Sequence, residues 1–311
     1  MKGNSAMANL AIQTDNLCKR YGQQRALDQV SIQVKEGEIY GLVGRNGAGK
    51  TTLLKILSRQ IQATSGFYTF FNERVASSAH DLRLGMMIEG PGLYPHLSAR
   101  DNLMLKCEAM GIWRPNYVQN LLELVGLGQV KQKKAKSFSL GMKQRLSLCL
   151  ALVGDPDILL LDEPTNGLDP QGIADFRELI QQLNQERGLT IIISSHILSE
   201  LAKMIDKVGI IHQGRLVKEA TKDEMEKENR NKLVLTSHQL EEVLAHLEES
   251  LKLKDFLVID DHTLYIYEYL DQAEKIPHSL INAGILFESF AYSENSLEDY
   301  YLQLTGGGRD A

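Results

Sequence analysis

The sequence predicts an α/β protein, in which a mostly parallel sheet is covered by helices and is followed by a smaller α+β domain. Apolar runs of strand length, such as Ile39–Val43 and Ile158–Leu161, alternate with segments of helical periodicity, which is typical of parallel sheets. A glycine-rich loop follows the first of these runs. After Ala220 the predicted order becomes strand, helix, strand, strand, helix, strand, which is the ferredoxin-like plan. We therefore expect a large domain over residues 1–221 and a small accessory domain over residues 222–311.

The large domain is predicted to carry a helical subdomain between its strand–helix units. Ile39–Val43 is a continuous apolar run, as expected for a strand buried on both faces, and apolar residues at helical spacing follow it. Residues from about 80 to 155 have mainly helical patterns. The remaining elements expected in this domain are strands at 158–161 and 189–193, helices at about 172–185 and 197–204, and a hairpin over 208–217.

The small domain begins with a charged segment, residues 222–232, which we predict to be a linker or an exposed helix. The elements expected after it are strands at 232–236, 255–259, 263–267 and 285–292, and helices at 237–250, 271–283 and 296–304. No catalytic cluster is recognisable here, and the spacing of its histidines predicts isolated surface residues. These histidines are His238, His246, His262 and His278. We expect this domain to serve dimerisation or regulation.

Composition and charge disfavour several classes of protein. The chain has 311 residues, 24% of them charged, and a formal net charge of −6, so no basic excess indicates a nucleic-acid surface. Its three cysteines are far apart and form no C-x-x-C pair, which disfavours a disulfide framework or a zinc site. No apolar run approaches the roughly 18–20 residues of a membrane span, and the N-terminus lacks the apolar core of a signal peptide. We expect other polypeptides to supply any membrane span.

The loop after Ile39–Val43 matches the phosphate-loop pattern G-x-x-x-x-G-K-[ST]. Glycines let backbone N–H groups turn toward phosphate oxygens, and the positive end of the following helix points at the same place. Lys50 is predicted to reach the β- and γ-phosphates, and the Thr51 hydroxyl to bind Mg²⁺. The alternative is a glycine-rich turn with an incidental lysine. The residues of this candidate phosphate-binding segment are Gly44, Arg45, Asn46, Gly47, Ala48, Gly49, Lys50, Thr51 and Thr52.

A second candidate feature is the acidic pair that ends the run Ile158–Leu161. Ligands of parallel sheets bind at the carboxyl ends of strands, so Asp162 and Glu163 are placed to meet the phosphate loop. We predict that Asp162 holds Mg²⁺, directly or through water, and that Glu163 polarises the water that attacks the γ-phosphate. An acidic pair after a strand is otherwise often a solvated strand end.

Further motifs give residues of about 10–217 a clear resemblance to the ATPase subunits of ABC transporters. Ser139–Arg145 resembles the signature motif, and Asp162–Asp169 resembles the Walker B and D-loop run. Ser194–His196 resembles the switch-histidine segment, and Tyr21 resembles the aromatic residue that stacks on adenine. The resemblance therefore implies a P-loop, ABC-type ATPase domain with ATP and Mg²⁺ as cofactors.

The resemblance also implies a mechanism in which two subunits trap ATP between them. Ser139 and the Gly141 backbone would contact the γ-phosphate bound by the other subunit, and His196 would contact it too. Asp169 would couple the two sites. Each residue has a simpler alternative: Tyr21 packed in the core, Ser139 or Asp169 serving only a helix end or turn, and His196 serving structure alone.

The sequence departs from the family pattern at two positions. Leu140 stands where the signature usually has its first glycine, and Glu89 stands where a glutamine usually senses Mg²⁺ and the attacking water. Glu89 can bind Mg²⁺ itself, or it can be a surface carboxylate without that role. Both departures, with the C-terminal run Ser296–Tyr301, resemble the subgroup that protects bacteria against lantibiotics and bacitracin.

The resemblance therefore predicts an ATPase that energises export from the cytoplasmic face of the membrane. Its expected partners are a second ATPase subunit, identical or not, and transmembrane permease subunits, with no nucleic acid. Leu93, Tyr94 and Leu97 are candidate permease contacts, with core packing as the alternative. A second class is a soluble ABC-type ATPase acting on nucleic acid or ribosomes, and a third is a regulatory protein that binds nucleotide without hydrolysing it. Intact Lys50, Asp162, Glu163 and His196 disfavour the third.

Overall fold

The structure of the chain is a computed structural model that describes residues 9–74, 83–90, 92–294 and 297–305. Two compact units are present, and the boundary lies between Lys222 and Asp223. Within the described ranges, no helix combines the length and the apolar character that a membrane span needs. The start of the predicted last helix, Ser296, lies outside the described residues.

The first unit contains eleven described strands and six α-helices. The strands are β1 (Leu10–Tyr21), β2 (Gln24–Val30), β3 (Gln33–Lys35), β4 (Ile39–Val43), β5 (Ser65–Phe70), β6 (Glu73–Arg74), β7 (Leu84–Met87), β8 (Ile158–Asp162), β9 (Thr190–Ser195), β10 (Lys207–His212) and β11 (Arg215–Thr221). The helices are α1 (Lys50–Leu57), α2 (Ala99–Ala109), α3 (Tyr117–Leu124), α4 (Leu140–Ala151), α5 (Pro170–Arg187) and α6 (Leu198–Leu201).

These strands form two sheets that share a core with α1. The larger sheet has the order β11-β10-β4-β9-β8-β7, and its pairs are parallel except for the edge strand β11. The other sheet is antiparallel, in the order β2-β1-β5-β6 with β3 also on β1. The core includes the fully buried Ile12, Tyr40, Leu53 and Ile192. Every residue of β4 is buried, as the continuous apolar run predicts.

The order of the parallel sheet brings the candidate site together. β4, β9 and β8 are neighbours, so their carboxyl ends lie side by side at one edge. The phosphate loop follows β4, the acidic pair ends β8, and the predicted switch histidine follows β9. Segments separated by more than 100 residues of chain therefore meet at a single place in the fold.

The helical pattern predicted from about residue 80 is wrong over Leu84–Met87, which form β7. This strand pairs in parallel with β8 and completes the sheet. A Cβ atom at Gly85 would lie 2.3 Å from the Ala151 carbonyl oxygen, so glycine permits this close packing. The hydrophobic periodicity of residues 84–87 does not show this pairing with β8, because the pairing depends on residues that are distant along the chain. The helical region begins at Ala99, and residues 80–82 lie outside the described residues.

The second unit has a four-stranded antiparallel sheet in the order β13-β14-β12-β15, with the strand and helix order that the sequence predicts. Its core includes the fully buried Leu233, Val243, Leu264 and Ile276. Its elements are α7 (Lys222–Glu228, beginning at the boundary), β12 (Lys232–Thr236), α8 (Leu240–Ser250), β13 (Phe256–Val258), β14 (Thr263–Ile266), α9 (Lys275–Ala283), β15 (Ser289–Ser293) and α10 (Leu297–Leu304).

Three predicted helices differ from the structure in their bounds. α6 covers Leu198–Leu201 rather than 197–204, and α8 begins at Leu240 because Ser237 instead accepts a hydrogen bond from the backbone of Gln239. α9 begins at Lys275, after a separate 3₁₀ turn at Leu270–Gln272. The charged segment after 222 is a largely exposed helix, the second of the two predicted alternatives, with one buried residue, Met225.

Candidate functional site

The phosphate loop joins β4 to α1 in a conformation that glycine makes accessible. Gly49 has a φ of +115°, and a Cβ atom there would lie 2.7 Å from the Ala26 carbonyl oxygen. Lys50, the first residue of α1, is only 4% exposed. Its Nζ donates a 2.6 Å hydrogen bond to the Gly44 carbonyl oxygen. The loop is therefore folded around the ammonium group of its own lysine.

Two of the three candidate metal ligands, Thr51 and Asp162, are in direct contact. The Thr51 hydroxyl donates to Asp162 Oδ2 at 2.7 Å, and the Ser194 hydroxyl donates to Asp162 Oδ1 at 2.6 Å. A hydroxyl and a carboxylate oxygen are hard donors of the kind that Mg²⁺ takes beside substrate phosphates. The donor set therefore fits the predicted ion. Ser194 is fully buried, so it fixes the orientation of the carboxylate from behind.

Glu163 links the phosphate-loop lysine to the switch histidine. Its Oε1 lies 3.0 Å from Lys50 Nζ, and its Oε2 lies 2.8 Å from His196 Nδ1. The lysine contact is an ion pair without hydrogen-bond alignment, and buried Oε1 accepts no hydrogen bond from the described residues. That oxygen therefore keeps an unused acceptor position beside the Lys50 ammonium group.

The backbone of Glu163 has a φ of +47°, a conformation that costs a non-glycine residue free energy. Its N–H donates a 3.0 Å hydrogen bond to Ser194 Oγ, which holds the residue in this conformation. The Ser194 hydroxyl therefore positions the carboxylate of Asp162 and the backbone of Glu163. Sequence reasoning placed Ser194 in a motif but gave it no role.

We expect Ser194→Ala to lower both stability and turnover. The substitution leaves Asp162 Oδ1 without its donor and the Glu163 N–H without its acceptor, which costs about 1–3 kcal/mol of unfolding free energy. Thermal unfolding and steady-state ATP hydrolysis measure the two effects. The control is Ser58→Ala, since Ser58 is also buried but donates to the Lys55 carbonyl oxygen. Full turnover in Ser194→Ala would contradict the positioning role.

Most of the predicted ATP-binding residues line one cavity of about 530 Å³. Tyr21 lies at its margin with half of its side chain exposed, so it is not packed in the core. The predicted residues that line the cavity are Tyr21, Arg45, Asn46, Gly47, Gly49, Lys50, Thr51, Thr52 and Glu163. Sequence reasoning missed Gln24, Arg25, Ala26, Gln213 and Gly214, which also line it. Gln24, Arg25 and Ala26 begin β2, and Gln213 and Gly214 form the turn between β10 and β11, so no phosphate-loop pattern includes them.

The signature and D-loop residues line a different cavity, of about 490 Å³. Ser139 caps α4, where its hydroxyl accepts a hydrogen bond from the Met142 N–H. Asp169 caps α5 by accepting from the Gly172 N–H, and Pro170 takes the first helical position. Gly141 lies beside them in the wall. The structure therefore groups Ser139, Gly141 and Asp169 with one another but not with the phosphate loop of the same chain.

The side chain of Leu140, the unusual residue of the signature, packs against Gly167. A Cβ atom at Gly167 would lie 3.1 Å from Leu140 Cδ2, a distance tighter than ordinary side-chain packing. Gly167, with a φ of +78°, thus leaves the space that the leucine occupies. The departure from the family pattern leaves the Ser139 cap and the Gly141 backbone in place.

Glu89, the second departure, pairs with Lys55 on α1. Its φ is +59°, and 61% of its side chain is exposed. Thr51 lies four residues, or about one helical turn, before Lys55 on α1. In this structure Glu89 therefore forms an ion pair one helical turn beyond Thr51, and its contact with Mg²⁺ stays a prediction.

A groove of about 340 Å³ lies beside Glu89. Its walls include Ile88, Gly90, Tyr94, Leu105 and Lys106. Burial lowers the pKa of Lys106, whose Nζ donates to the Leu150 carbonyl oxygen at 2.7 Å. Of the predicted permease contacts, Tyr94 is 58% exposed, whereas Leu93 and Leu97 are half-buried.

A phosphate loop on a parallel sheet, with a buried lysine facing a strand-end carboxylate, defines the chain as a P-loop nucleotide-hydrolysing protein. Comparison with known proteins narrows this class. Residues 27–166 match the family model described as ABC transporter. The chain belongs to the ABC transporter ATP-binding family, and it is an ATP-hydrolysing subunit.

Two curated relatives and one solved structure illustrate the match. The chain is 42% identical over 299 residues to the bacitracin transport ATP-binding protein BcrA of Bacillus licheniformis, which covers 96% of this chain and 98% of the relative. It is 44% identical over 213 residues to the lantibiotic transport ATP-binding protein SrtF of Streptococcus pyogenes, covering 68% and 91%. The structure of cbiO1 from Clostridium perfringens, part of the ABC transporter complex cbiONQ, has a TM-score of 0.64 at 25% identity, covering 78% and 96%.

These relatives confirm the predicted family and ABC-type ATPase fold. They lend no support to the alternative of a soluble ATPase that acts on nucleic acid or ribosomes. The similarity to the solved structure is that of the ABC ATPase fold. The role of each site residue and of the second unit stays a prediction.

Proposed function

We propose that this subunit energises the export of a peptide antibiotic, with bacitracin as the preferred cargo and lantibiotics as the second candidate. The observation that supports bacitracin is the extent of the match. The bacitracin transport protein aligns over 96% of the chain and so includes the second unit, whereas the lantibiotic transport protein aligns over 68%. At 42% identity, this match is a likeness of the whole chain rather than of the ATPase cassette alone.

Two copies of the cassette, in this proposal, enclose ATP in a head-to-tail arrangement. Ser139, Gly141 and Asp169 line a cavity separate from the phosphate loop, so a second subunit is required to bring them to the γ-phosphate. The N-terminus of α4, which starts at Leu140, would aim its positive end at that phosphate. Closure around ATP and reopening after hydrolysis would move the membrane partners.

Hydrolysis itself depends on positioning and charge neutralisation. Thr51 and Asp162 would hold Mg²⁺, which supplies neutralisation of the phosphate charge. Glu163 accepts a proton from the attacking water, whose oxygen bonds to the γ-phosphorus as the bond to the β-phosphate oxygen breaks. His196, hydrogen-bonded to Glu163, orients that carboxylate and contacts the γ-phosphate. Lys50 lies between Glu163 and the loop, where it neutralises the phosphate oxygens.

The groove beside Glu89 is the surface that we assign to the permease. It combines apolar walls with an exposed tyrosine, Tyr94, and it adjoins the loop that follows β7. The backbone of Tyr94 is held by Asn102, whose Oδ1 accepts from the Tyr94 N–H at 2.8 Å. The buried Asn102 side chain thus holds the backbone of the loop around Tyr94 in place. This favours a preformed surface for the cytosolic segments of a membrane partner.

The cargo is tested by protection of a sensitive bacterium that expresses the chain with its membrane partner. We expect growth in bacitracin to depend on the wild-type chain and to be lost with Glu163→Gln. Protection against a lantibiotic alone would replace bacitracin by the second candidate. Intact ATP hydrolysis without protection against either peptide would overturn the proposed cargo but leave the ATPase assignment standing.

A separate prediction concerns the role of Glu89. We expect Glu89→Gln to raise severalfold the Mg²⁺ concentration needed for half-maximal ATP hydrolysis, since it removes a carboxylate near the ion. Lys55→Gln is the matched control, because it breaks the same ion pair but leaves the carboxylate. Equal Mg²⁺ dependence of both variants would mean that Glu89 acts only through Lys55.

A further inference from the structure

The second unit presents an apolar strand at the edge of its sheet. β13 is the terminal strand in the order β13-β14-β12-β15, so among the described strands only β14 pairs with it. Leu257, Val258 and Ile259 are 51%, 46% and 44% exposed. An exposed edge with consecutive apolar residues is a template for pairing with another chain.

The ladder with β14 shows which backbone groups of this edge face outward. Tyr267 N–H donates to the Asp255 carbonyl oxygen at 2.9 Å, and Ile259 N–H donates to the Thr263 carbonyl oxygen at 3.0 Å. Hydrogen-bonded pairs alternate along an antiparallel ladder. Leu257 lies between Asp255 and Ile259, so its backbone N–H and C=O groups also point toward β14. The backbone N–H and C=O groups of Phe256 and Val258 therefore point toward the open edge.

The charges that flank β13 in one copy are complementary to those that flank β13 in a second, antiparallel copy. Lys254 precedes the apolar residues, and Asp260 follows them. If a second copy pairs antiparallel with Phe256 opposite Val258, then Leu257 lies opposite its own counterpart on the two-fold axis. Continued one residue beyond each end of the Asp255–Ile259 ladder, the same register puts Lys254 opposite Asp260, and symmetry repeats that pair. The Asp260 carboxylate also accepts a hydrogen bond from the His262 N–H in the turn. Opposite charges in cross-strand positions stabilise a ladder, and a two-fold interface requires this kind of self-complementarity.

We propose that β13 pairs with β13 of a second copy of this chain, in the register that places Leu257 on the two-fold axis. The second unit thereby joins two chains through a continuous antiparallel sheet. A three-residue strand buries little surface, so the contact is weak between free chains. The β13–β13 contact becomes effective where two copies are held together, as in the two-subunit transporter proposed above. Only this strengthening of the contact rests on the proposed function.

Disulfide trapping tests the register in the full-length chain without nucleotide. We expect Leu257→Cys to form a cross-linked dimer under mild oxidation, because residues facing each other across a non-hydrogen-bonded pair are about 4.5 Å apart at Cα. Ile259→Cys is the matched control on the same strand face. In this register its counterpart lies four positions away, about 13 Å, which is too far for a disulfide.

The wild-type chain controls for the native cysteines, Cys18, Cys107 and Cys149. Cross-linking of Leu257→Cys that is no faster than that of Ile259→Cys would overturn the proposal. Because the readout needs neither permease nor ATP, its failure is distinct from failure of the transport assignment.

Charge reversal provides a second test in the Leu257→Cys background. Lys254→Glu places like charges opposite each other twice, and we expect cross-linking to slow roughly fivefold. Adding Asp260→Lys should restore the rate, whereas adding Asp261→Lys, the next residue of the turn, should not. Thermal unfolding of each variant controls for the turn, because Asp260 also accepts a hydrogen bond from the His262 N–H. Equal rates for wild-type and reversed charges would contradict the register, as would equal restoration by both aspartate variants.

Discussion

Glu163→Gln is expected to bind ATP with near wild-type affinity and to lose turnover by about 10²–10⁴-fold, the usual contribution of a positioned general base. The amide has the size of the carboxylate and can still contact His196, but it cannot accept a proton from water. In the structure the carboxylate bridges Lys50 and His196, and its buried Oε1 accepts no hydrogen bond from the described residues. Single-turnover hydrolysis and ATP titration separate the chemical step from binding.

A matched control for this variant is Glu219→Gln. Glu219 also bridges a lysine and a ring side chain, since it lies 2.9 Å from Lys207 and accepts a 3.0 Å hydrogen bond from Tyr40. It lies outside the residues that line the nucleotide cavity. We expect normal turnover there. If Glu163→Gln also hydrolysed ATP at the wild-type rate, another group would have to be the base.

Lys50→Met is expected to weaken ATP binding by roughly 10- to 100-fold, the loss that follows removal of a hydrogen bond to a charged group. The lysine is 4% exposed, and its ammonium group is held by the loop carbonyl of Gly44. Methionine preserves the volume of the stem but supplies no charge for the phosphates. It also leaves the Glu163 carboxylate without its cationic neighbour. Isothermal titration with ATP measures the loss directly.

Lys55→Met is the control for Lys50→Met on the same helix. Lys55 lies five residues later and pairs with Glu89 instead of Glu163. We expect its ATP affinity to stay close to that of the wild type. Equal loss of affinity in both variants would indicate a general effect on α1 rather than a phosphate contact.

The sequence was sufficient for those parts of the site that depend on local chemistry. Gly49 and Lys50 are specified by backbone conformation and charge within a single loop. Asp162 and Glu163 could be placed beside them because parallel strands end at the same edge. The structure agrees with that placement, since Thr51 contacts Asp162 and Lys50 contacts Glu163.

The remainder depends on contacts that no local pattern contains. β7 is a strand because it pairs with β8 and because Gly85 tolerates the Ala151 carbonyl. The pairing of Glu89 with Lys55, and the two hydrogen bonds of Ser194 to the acidic pair, join segments that are distant along the chain. The space that Gly167 leaves for the side chain of Leu140, the unusual residue of the signature, is visible only in the structure.

α1 connects the hydrolysis site to the proposed permease groove. Thr51 on this helix contacts Asp162, and Lys55, one turn later, contacts Glu89, whose neighbours Ile88 and Gly90 line the groove. The two contacts are about 6 Å apart along the helix axis. In the proposed assembly, force applied by a membrane partner at Glu89 would therefore act on the same helix that carries the Thr51 hydroxyl, the predicted metal ligand. Coupling between ATP hydrolysis and the membrane partner would therefore pass through one short, rigid segment of α1. Any loss of movement would be confined to the two side-chain contacts at its ends, Thr51 with Asp162 and Lys55 with Glu89.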